Sequence, residues 1–359
     1  MIGTDRTGAD REGCQDGAVP VVAFKSPFLD SAETTNQDRH GWQQQQEERH
    51  ETGDNRPRQL PGCVLIILNS RIRVPIGPVF SKLWSMSSYR ICADGGANRL
   101  FDAAAAAIAN TNGGGDATYD ISSSLKVSAE STQPSGPASQ TVLQQQSVQR
   151  SSSSDAGTGT PAWGVEHGDA PDLIIGDLDS LRDDVETYYR SKNVQIERVA
   201  DQDTNDLDKA LRFLERTRPE VPERVFVYGA FGGRFDQEMA SIQALFRWKD
   251  SFGHRLWLYD EENCAFLLGE NIDNEIFLPN YGENHESCVG EGPTCGLIPI
   301  GMPCESVITD GLKWDLDGSM PLRFGGLISS SNRVMKERVR IRCSQPLIFT
   351  TEVEDVTAE

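Results

Sequence analysis

The sequence predicts an α/β fold, with a mostly parallel sheet flanked by helices, followed by a smaller all-β domain. Three observations support this prediction. From about residue 61 to residue 255, short apolar runs alternate with segments of helical period, which is typical of successive βα units. Glycine-rich or acidic turns follow most of these runs. From residue 256 onward, the apolar runs are short, are separated by Gly, Pro and Asp, and show no helical period, as in all-β domains.

The elements of the first part follow one another in a regular order. Residues 63–70 (CVLIILNS) are apolar almost throughout, which favours a strand that is covered on both faces. Residues 89–109 contain a short strand, a glycine turn and an alanine-rich helix. We expect Thr204 or Asn205 to cap a later helix. The remaining segments are a strand ending at 176, a helix at 185–193, a strand at 194–200, a helix at 204–216, a strand at 224–230 and a helix at 235–248.

Two segments have the composition of disordered chain. Residues 1–60 are polar and charged and include four consecutive glutamines, and residues from about 110 to 170 are rich in Ser, Thr, Gln and Gly. Such segments bury too little apolar surface to offset the loss of chain entropy. We therefore predict a disordered extension at 1–60, an α/β domain at 61–255 interrupted by a low-complexity insert at about 110–170, and an all-β domain at 256–355.

Charge and composition exclude several classes of partner. The chain has 54 acidic and 34 basic residues and a net charge of −20, so it lacks the basic surface that nucleic acids or anionic membranes require. The net charge is compatible with a phosphorylated substrate, because a bound divalent cation reverses the local charge.

No apolar run approaches the ~18 residues of a membrane helix, and no signal or transit peptide is indicated. The eight cysteines form no Cys-x-x-Cys pair, so we expect free thiols in a reduced, cytoplasmic setting.

Aspartates are concentrated in four turns that follow predicted strands. Two of them, Asp177 and Asp179, directly follow an apolar run, and neighbouring carboxylates repel each other unless a cation or a proton lies between them. The carboxyl ends of parallel strands meet at one edge of a sheet, where ligands bind. No His or Cys accompanies these acids at ligand spacing, so the oxygen-only set indicates Mg²⁺ or Mn²⁺ rather than zinc. The four turns contain Asp94; Asp177 and Asp179; Asp201, Asp203 and Asp206; and Asp236.

Each of these features alone also has an ordinary structural explanation. A single Asp-x-Asp after a strand is common turn chemistry, and a lone Trp314 is more often a core or interface residue. Arg234 has the fork of donors that suits phosphate, while Lys209 is either a phosphate partner or a solvated lysine. The convergence of four acidic turns on one edge favours a site. The chain has neither a Walker A motif nor a Gly-x-Gly-x-x-Gly after a strand, so P-loop kinases and dinucleotide-binding enzymes lose support.

Seven motifs, taken in order, resemble those of the eukaryotic thiamine pyrophosphokinase (thiamine diphosphokinase) family. They are ICADGGANRL, DLIIGDLDS, DQDTNDLDKAL, GAFGGRFDQEMAS, CGLIPIG, TDGLKW and ISSSN, and the resemblance runs from about residue 63 to residue 352 apart from the insert. The resemblance implies an α/β domain, a C-terminal β-sandwich, and a homodimer with its active sites at the subunit interface. It also implies transfer of the pyrophosphoryl group of ATP to the hydroxyethyl oxygen of thiamine, which gives thiamine diphosphate and AMP.

The resemblance also implies roles for individual residues. Asp177, Asp179 and Asp206 would hold Mg²⁺, with Mn²⁺ as an alternative, and Asp94 and Arg234 would join them in catalysis. The β domain would supply the thiamine contacts, where an aromatic face attracts a cationic thiazolium by ~0.5–2 kcal/mol. Asp94 and Asp203 are the candidates for accepting the hydroxyl proton. The residues expected to bind nucleotide or thiamine are Gln202, Asp203, Asn205, Asp236, Gln237, Trp314, Ser330, Ser331 and Asn332.

One position departs from the family pattern, in which Thr usually stands where this chain has Asn205. Asn also caps helices, so we expect the local geometry to be kept, although a lost hydroxyl contact would change nucleotide affinity. Two other classes of function stay open at this point. One is a Mg²⁺- or Mn²⁺-dependent phosphohydrolase or nucleotide-sugar transferase, and the other is a non-catalytic module that binds thiamine or nucleotide.

Overall fold

A computed structural model describes residues 19–27, 62–111, 170–217, 222–278 and 289–355. Almost all of the insert predicted at about 110–170 and most of the extension predicted at 1–60 lie outside the described residues. The helices within these ranges are α1 (Pro78–Met86), α2 (Gly96–Thr111), α3 (Asp183–Ser191), α4 (Asp206–Thr217), α5 (Phe235–Arg247) and α6 (Lys249–Phe252), followed by a 3₁₀ turn at Gly253–Arg255.

Among the described residues, the strands alternate with helices from β2 to β7 and then follow one another directly. They are β1 (Val21–Lys25), β2 (Cys63–Ile67), β3 (Ser87–Ala93), β4 (Leu173–Gly176), β5 (Gln195–Arg198), β6 (Val225–Tyr228), β7 (Leu256–Tyr259), β8 (Asn263–Leu268), β9 (Asp273–Phe277), β10 (Val289–Ile298), β11 (Val307–Asp310), β12 (Ser329–Arg333), β13 (Arg338–Cys343) and β14 (Leu347–Asp355).

Ten of these strands form one large sheet in the order β12-β10-β14-β8-β7-β6-β2-β3-β4-β5. The six strands from β7 to β5 are parallel. The chain runs outward from β2 through β3 and β4 to β5, and then returns to the other side of β2 with β6 and β7. The strand order therefore reverses between β2 and β6, which is where ligands bind in open α/β sheets.

The continuous apolar character of β2 is explained by helices on both faces of the sheet. Leu65 and Ile67 belong to one buried cluster, which also contains apolar side chains of α1, α2 and α3. Val64 and Ile66 belong to the other, which contains side chains of α4 and α5. Because successive strand residues point to opposite faces, all five residues of β2 are buried. This arrangement confirms the predicted fold class.

The C-terminal strands build a second layer of sheet. A four-stranded sheet has the order β1-β9-β13-β11, and its inner residues share one apolar cluster with β8 and β14 of the large sheet. Phe24, Phe266, Ile276 and Phe349 are all buried there. β7 lies beyond the predicted boundary at 255, yet it pairs in parallel with β6. The helical period is therefore lost one strand before the antiparallel β-rich part begins, at β8.

The prediction that residues 1–60 are disordered is wrong for β1. This strand pairs in parallel with β9, with Val21 opposite Asp273 and Lys25 opposite Phe277. Phe24 is buried and stacks on Phe266, with 4.7 Å between the ring centroids. The four apolar residues that begin β1, residues 21–24, were hidden because the composition was averaged over the sixty residues of a mostly polar segment.

No helix among the described residues is both long enough and apolar enough to span a bilayer. The six cysteines that the structure describes are buried free thiols, as the absence of Cys-x-x-Cys pairs predicts.

Candidate active site

The carboxyl ends of the central parallel strands border a cavity of about 810 Å³. Its walls come from the segments that follow β2, β3, β4 and β6 and from the first turn of α4. It therefore lies where the strand order reverses, at the edge that the sequence predicts to bind ligand. Asp177, Asn205, Asp206, Arg234 and Gln237 of the predicted site residues line it.

Asp94 lies in the turn between β3 and α2 and has a backbone φ of 41°, a left-handed conformation that Asp adopts more readily than most residues. Its side chain is buried, with 3% of the residue exposed. Oδ2 accepts a hydrogen bond of 3.2 Å from the backbone N–H of Ser180, whereas Oδ1 has no partner within the described parts of the chain. Burial, together with the charge of Asp206, raises the pKa of Asp94 to about 6.

Asp177 and Asp179 lie in the turn after β4 and converge on Asp94. One carboxylate oxygen from each of these three residues lies within 4.8 Å of the other two. Leu178 between them has a φ of 64°, which is uncommon for a bulky residue and is found mostly at functional sites. The backbone N–H of Asp179 also points to Oδ1 of Asp177, at 3.4 Å.

Gly176 allows this turn to approach Asp94 closely. A Cβ added to Gly176 would lie 2.6 Å from the Cβ of Asp94 and 3.2 Å from Oδ1 of Asp206. Any other residue would therefore push the strand end away from the two acids. The same measurement places Asp206 beside the group formed by Asp94, Asp177 and Asp179.

Lys209 joins Asp206 to Asp177. Its Nζ lies 2.9 Å from Oδ1 of Asp206 and 3.4 Å from Oδ2 of Asp177, and only 2% of its side chain is exposed. Burial alone would lower the pKa of Lys209, but the two carboxylates outweigh it and raise that pKa. Burial likewise opposes the ionised form of Asp177, yet the N–H of Asp179 and the charge of Lys209 hold its pKa below the ordinary value.

Asn205 caps α4, as the sequence predicts for one of two residues. Its Oδ1 accepts a hydrogen bond of 2.7 Å from the backbone N–H of Asp208. The departure from the usual Thr therefore keeps the helix start that presents Asp206 and Lys209 to the cavity. Gln202 and Asp203, in the preceding turn, are exposed and are not among the residues that line the cavity.

The donor set fits a hard divalent cation. The converging side chains offer carboxylate oxygens only, which is the ligand type of Mg²⁺ and Mn²⁺. Leaving a buried oxygen such as Oδ1 of Asp94 unpaired costs about 1–3 kcal/mol, and a cation or a proton at this position would remove that cost. Asp177 and Asp179 belong both to the predicted metal set and to the observed group, while Asp206 as a ligand stays a prediction.

Arg234 and Gln237, at the start of α5, also line the cavity. Arg234 forms an ion pair with Asp236, with Nε 3.0 Å from Oδ1, and this pair is exposed. The guanidinium group holds the pKa of Asp236 below its ordinary value. The partner of Arg234, Asp236, does not itself line the cavity.

The four residues predicted in the β domain lie elsewhere on the chain. Among the residues that the structure describes, Trp314, Ser330, Ser331 and Asn332 do not line the cavity. Trp314 is 56% exposed, and Nζ of Lys313 lies 4.5 Å from its ring centroid. Asn332 is buried and holds the Trp314 backbone from both sides, accepting from its N–H at 3.2 Å and donating to its carbonyl at 2.9 Å.

Sequence reasoning missed several cavity residues after β2. Asn69, Ser70 and Arg71 line the cavity, as does Arg99 of α2. Nε of Arg99 donates to Oδ1 of Asn69 at 2.9 Å. Asn69, Ser70 and Arg71 directly follow a strand that was predicted correctly, and all such strand ends meet at one edge, so the sequence does carry a signal for them. The segment after this strand contains no acid, and acidic turns were the feature that predicted the site.

Comparison with known proteins gives a consistent result over both layers of the fold. One family model, described as the catalytic domain of thiamin pyrophosphokinase, matches residues 80–257. A second, described as the vitamin B1 binding domain of thiamin pyrophosphokinase, matches residues 283–348. Both matches fall within residues 63–352, the span of the resemblance found in the sequence.

Curated relatives and solved structures agree with these matches. Thiamine pyrophosphokinase 1 of Oryza sativa is 32% identical over 81% of this chain and 87% of its own length, and thiamine pyrophosphokinase 1 of Arabidopsis thaliana is 30% identical over 81% and 86%. Thiamin pyrophosphokinase from Candida albicans has a similar fold, with a TM-score of 0.55 and 22% identity over 82% of this chain and 89% of that one. The yeast enzyme gives a TM-score of 0.54 at 23% identity, over 84% and 89%.

Proposed function

Because this chain belongs to the thiamin pyrophosphokinase family, its reaction is the transfer of the pyrophosphoryl group of ATP to thiamine, and we propose that the acidic turns after β3 and β4 form the active site. The products are thiamine diphosphate and AMP. One observation supports this location above all others. Carboxylate oxygens of Asp94, Asp177 and Asp179, from turns more than eighty residues apart, lie within 4.8 Å of one another at the edge of the cavity.

We assign these acids, together with Asp206, to a Mg²⁺ or Mn²⁺ site. A bound dication would neutralise charge on the phosphate oxygens of ATP. The chain's own part is to hold the oxygens in place beforehand. The N–H of Ser180 fixes Asp94, the N–H of Asp179 orients Asp177, and Lys209 holds Asp206.

Cationic side chains on the cavity wall suit the polyphosphate. Arg71, Arg99 and Arg234 line the cavity, and guanidinium groups bind phosphate oxygens in pairs. In phosphoryl transfer, positioning and charge stabilisation supply most of the rate. These arginines therefore add positive charge to a cavity that the acids also border.

The proton of the thiamine hydroxyl requires an acceptor or release to water. Of the two candidates from the sequence, Asp94 lies in the acidic group that borders the cavity, within reach of a substrate bound there. Asp203 is exposed and does not line the cavity. This difference favours Asp94, although a strong base is not obligatory for this class of reaction.

We further propose a homodimer in which the β domain of one subunit supplies the thiamine contacts of the other. Trp314, Ser330, Ser331 and Asn332 do not line the cavity of their own chain as described. Trp314 is exposed although apolar, as expected of a residue that meets a ligand or a second subunit.

The cytoplasmic location expected from the sequence also stays a prediction.

An assay for AMP with ATP and Mg²⁺, run with and without thiamine, tests this function. We expect AMP and thiamine diphosphate to form in equal amounts, and only when thiamine is present. Release of AMP or phosphate at the same rate without thiamine would indicate the phosphohydrolase alternative. Thiamine binding without any AMP would indicate a non-catalytic module.

A further inference from the structure

We propose that Lys209 is an internal counter-ion of the acidic group, a positioning residue whose ammonium group competes with the divalent cation for Asp177 and Asp206. This inference rests on the proposed function, because it concerns the same acids. It assigns Lys209 a task that is neither of the two sequence-based alternatives, phosphate partner or solvated lysine. The side chain holds the acids in place and, by its charge, lowers the affinity of the site for metal.

The contacts of Lys209 support the first half of this proposal. Nζ bridges two carboxylates that come from different elements, Oδ1 of Asp206 in α4 at 2.9 Å and Oδ2 of Asp177 after β4 at 3.4 Å. An ammonium group in this position ties the first turn of the helix to the end of the strand. Without it, the two acids would face each other, with Asp94 and Asp179 beside them, and would repel.

The burial of Lys209 excludes a merely solvated side chain. Only 2% of the side chain is exposed, and burying an unpaired ammonium group is costly. The lysine stem lies in the first turns of α4, next to Leu207 and Ala210, which are buried in the core of the α/β layer. The charged end therefore has one direction available, toward the acids and the cavity, which Lys209 also lines.

The second half of the proposal follows from the charges. A dication bound by Asp177 would lie within a few ångströms of Nζ, where two positive charges repel strongly in a partly buried site. The ammonium group must then either move away from Asp177 and Asp206 or lower the affinity of the site for the metal. Removing its charge while keeping its volume should make the site bind metal more tightly.

The test compares the full-length parent with Lys209→Met, which keeps most of the side-chain volume, and with Lys209→Arg, which keeps the charge. Arg247→Met is the matched control. Arg247 of α5 forms an ion pair of 3.0 Å with Asp208, the neighbour of Lys209 in α4, but it does not line the cavity. Two quantities are measured for each protein. One is the Kd for Mn²⁺ alone by titration calorimetry, and the other is the unfolding temperature in EDTA and in saturating Mn²⁺.

We expect Lys209→Met to bind Mn²⁺ about tenfold more tightly, the scale of one unit charge at close range in a partly screened site. Its unfolding temperature should fall in EDTA and recover in Mn²⁺, whereas Lys209→Arg should keep the parent's Kd. Arg247→Met should lower the unfolding temperature equally in both solutions. If Lys209→Met fails to fold, Lys209→Gln replaces it with the same expectation.

An unchanged or weaker Kd in the charge-free variant would overturn the proposal, as would an equal loss of unfolding temperature in EDTA and in Mn²⁺. Neither result would depend on the reaction catalysed. If the parent forms AMP with thiamine but Lys209→Met binds Mn²⁺ like the parent, the counter-ion role fails and the function stands. If the Kd changes as expected but the parent forms no AMP with thiamine, the proposed function fails instead.

Discussion

The backbone N–H of Ser180 donates a hydrogen bond of 3.2 Å to Oδ2 of Asp94, and this contact joins the turn after β4 to the turn after β3. The two residues are 86 positions apart in the chain. This contact accompanies the convergence of Asp94, Asp177 and Asp179, one carboxylate oxygen of each lying within 4.8 Å of the other two. The acidic group is therefore built by backbone geometry as well as by charge.

Replacing Asp94 by Asn should make the protein in EDTA more stable at neutral pH. Because the pKa of Asp94 is raised to about 6, the fold favours its protonated form, and ionised Asp94 destabilises the protein above that pH. This penalty disappears as the pH falls through about 6 toward the ordinary pKa of 3.8. The excess unfolding temperature of Asp94→Asn over the parent should therefore be largest near pH 8 and shrink toward pH 5.

Asn tolerates the left-handed backbone of this position and still accepts the Ser180 bond, so misfolding is not expected. Thermal unfolding at a series of pH values in EDTA measures the difference. A difference that is constant between pH 5 and pH 8 would show that Asp94 does not titrate there. In Mn²⁺ the parent should have the higher unfolding temperature, since Asn removes a charged oxygen from the metal site.

Replacing Asp177 by Asn should abolish turnover and leave the fold intact. Residues that only orient a metal ligand already cost about 10–100-fold when lost, so we expect a loss of at least ~100-fold in AMP formation. Asp250→Asn, an exposed acid in α6, is the control for one lost negative charge. Turnover of Asp177→Asn near the parent rate would remove Asp177 from the active site.

Replacing Gly176 by Ala should disturb both stability and activity. The added methyl group would lie 2.6 Å from the Cβ of Asp94, so either the strand end or the turn after β3 must move. Overpacking of this kind costs about 1–3 kcal/mol in the free energy of unfolding, which urea denaturation measures. In Gly326→Ala the added methyl group meets only the flexible side chain of Arg323, so neither the free energy of unfolding nor the activity should change. Equal effects at both glycines would contradict the close approach of Gly176 to Asp94.

Replacing Trp314 by Ala should raise the KM for thiamine and leave that for ATP almost unchanged. A cation–π contact of ~0.5–2 kcal/mol corresponds to a change of roughly 2- to 30-fold. Trp314→Phe keeps an aromatic face, so its KM for thiamine should lie between those of the parent and of Trp314→Ala. Because Trp314 is exposed, its loss should not unfold the chain. Equal rises in both KM values would assign Trp314 a structural role only.

Much of the fold follows from local pattern, because strands covered by helices on both faces must be apolar throughout. This is why the apolar strand that begins at Cys63 was predicted correctly. The cap at Asn205 was one of two residues that helix-start chemistry allowed. β1 was not predicted, since its pairing with β9 is a long-range contact that polar flanking sequence conceals. A short strand at a sheet edge leaves a weak local signal.

The site was predicted less completely than the fold. Acids after parallel strands must share an edge, so the convergence of Asp94, Asp177 and Asp179 could be expected, but which oxygens meet depends on backbone turns such as the one at Leu178. The position of Lys209 could not be decided, because helical spacing alone does not distinguish a lysine that faces solvent from one that faces two carboxylates.

The most direct test of the central claim uses ATP labelled at the β-phosphorus, with thiamine and Mg²⁺, in the parent and in Asp177→Asn. The account predicts that the parent transfers the label to thiamine diphosphate and leaves AMP unlabelled, and that EDTA or the substitution stops the transfer. Label that stays in ADP, that appears as pyrophosphate regardless of thiamine, or that is transferred by Asp177→Asn at the parent rate would contradict it.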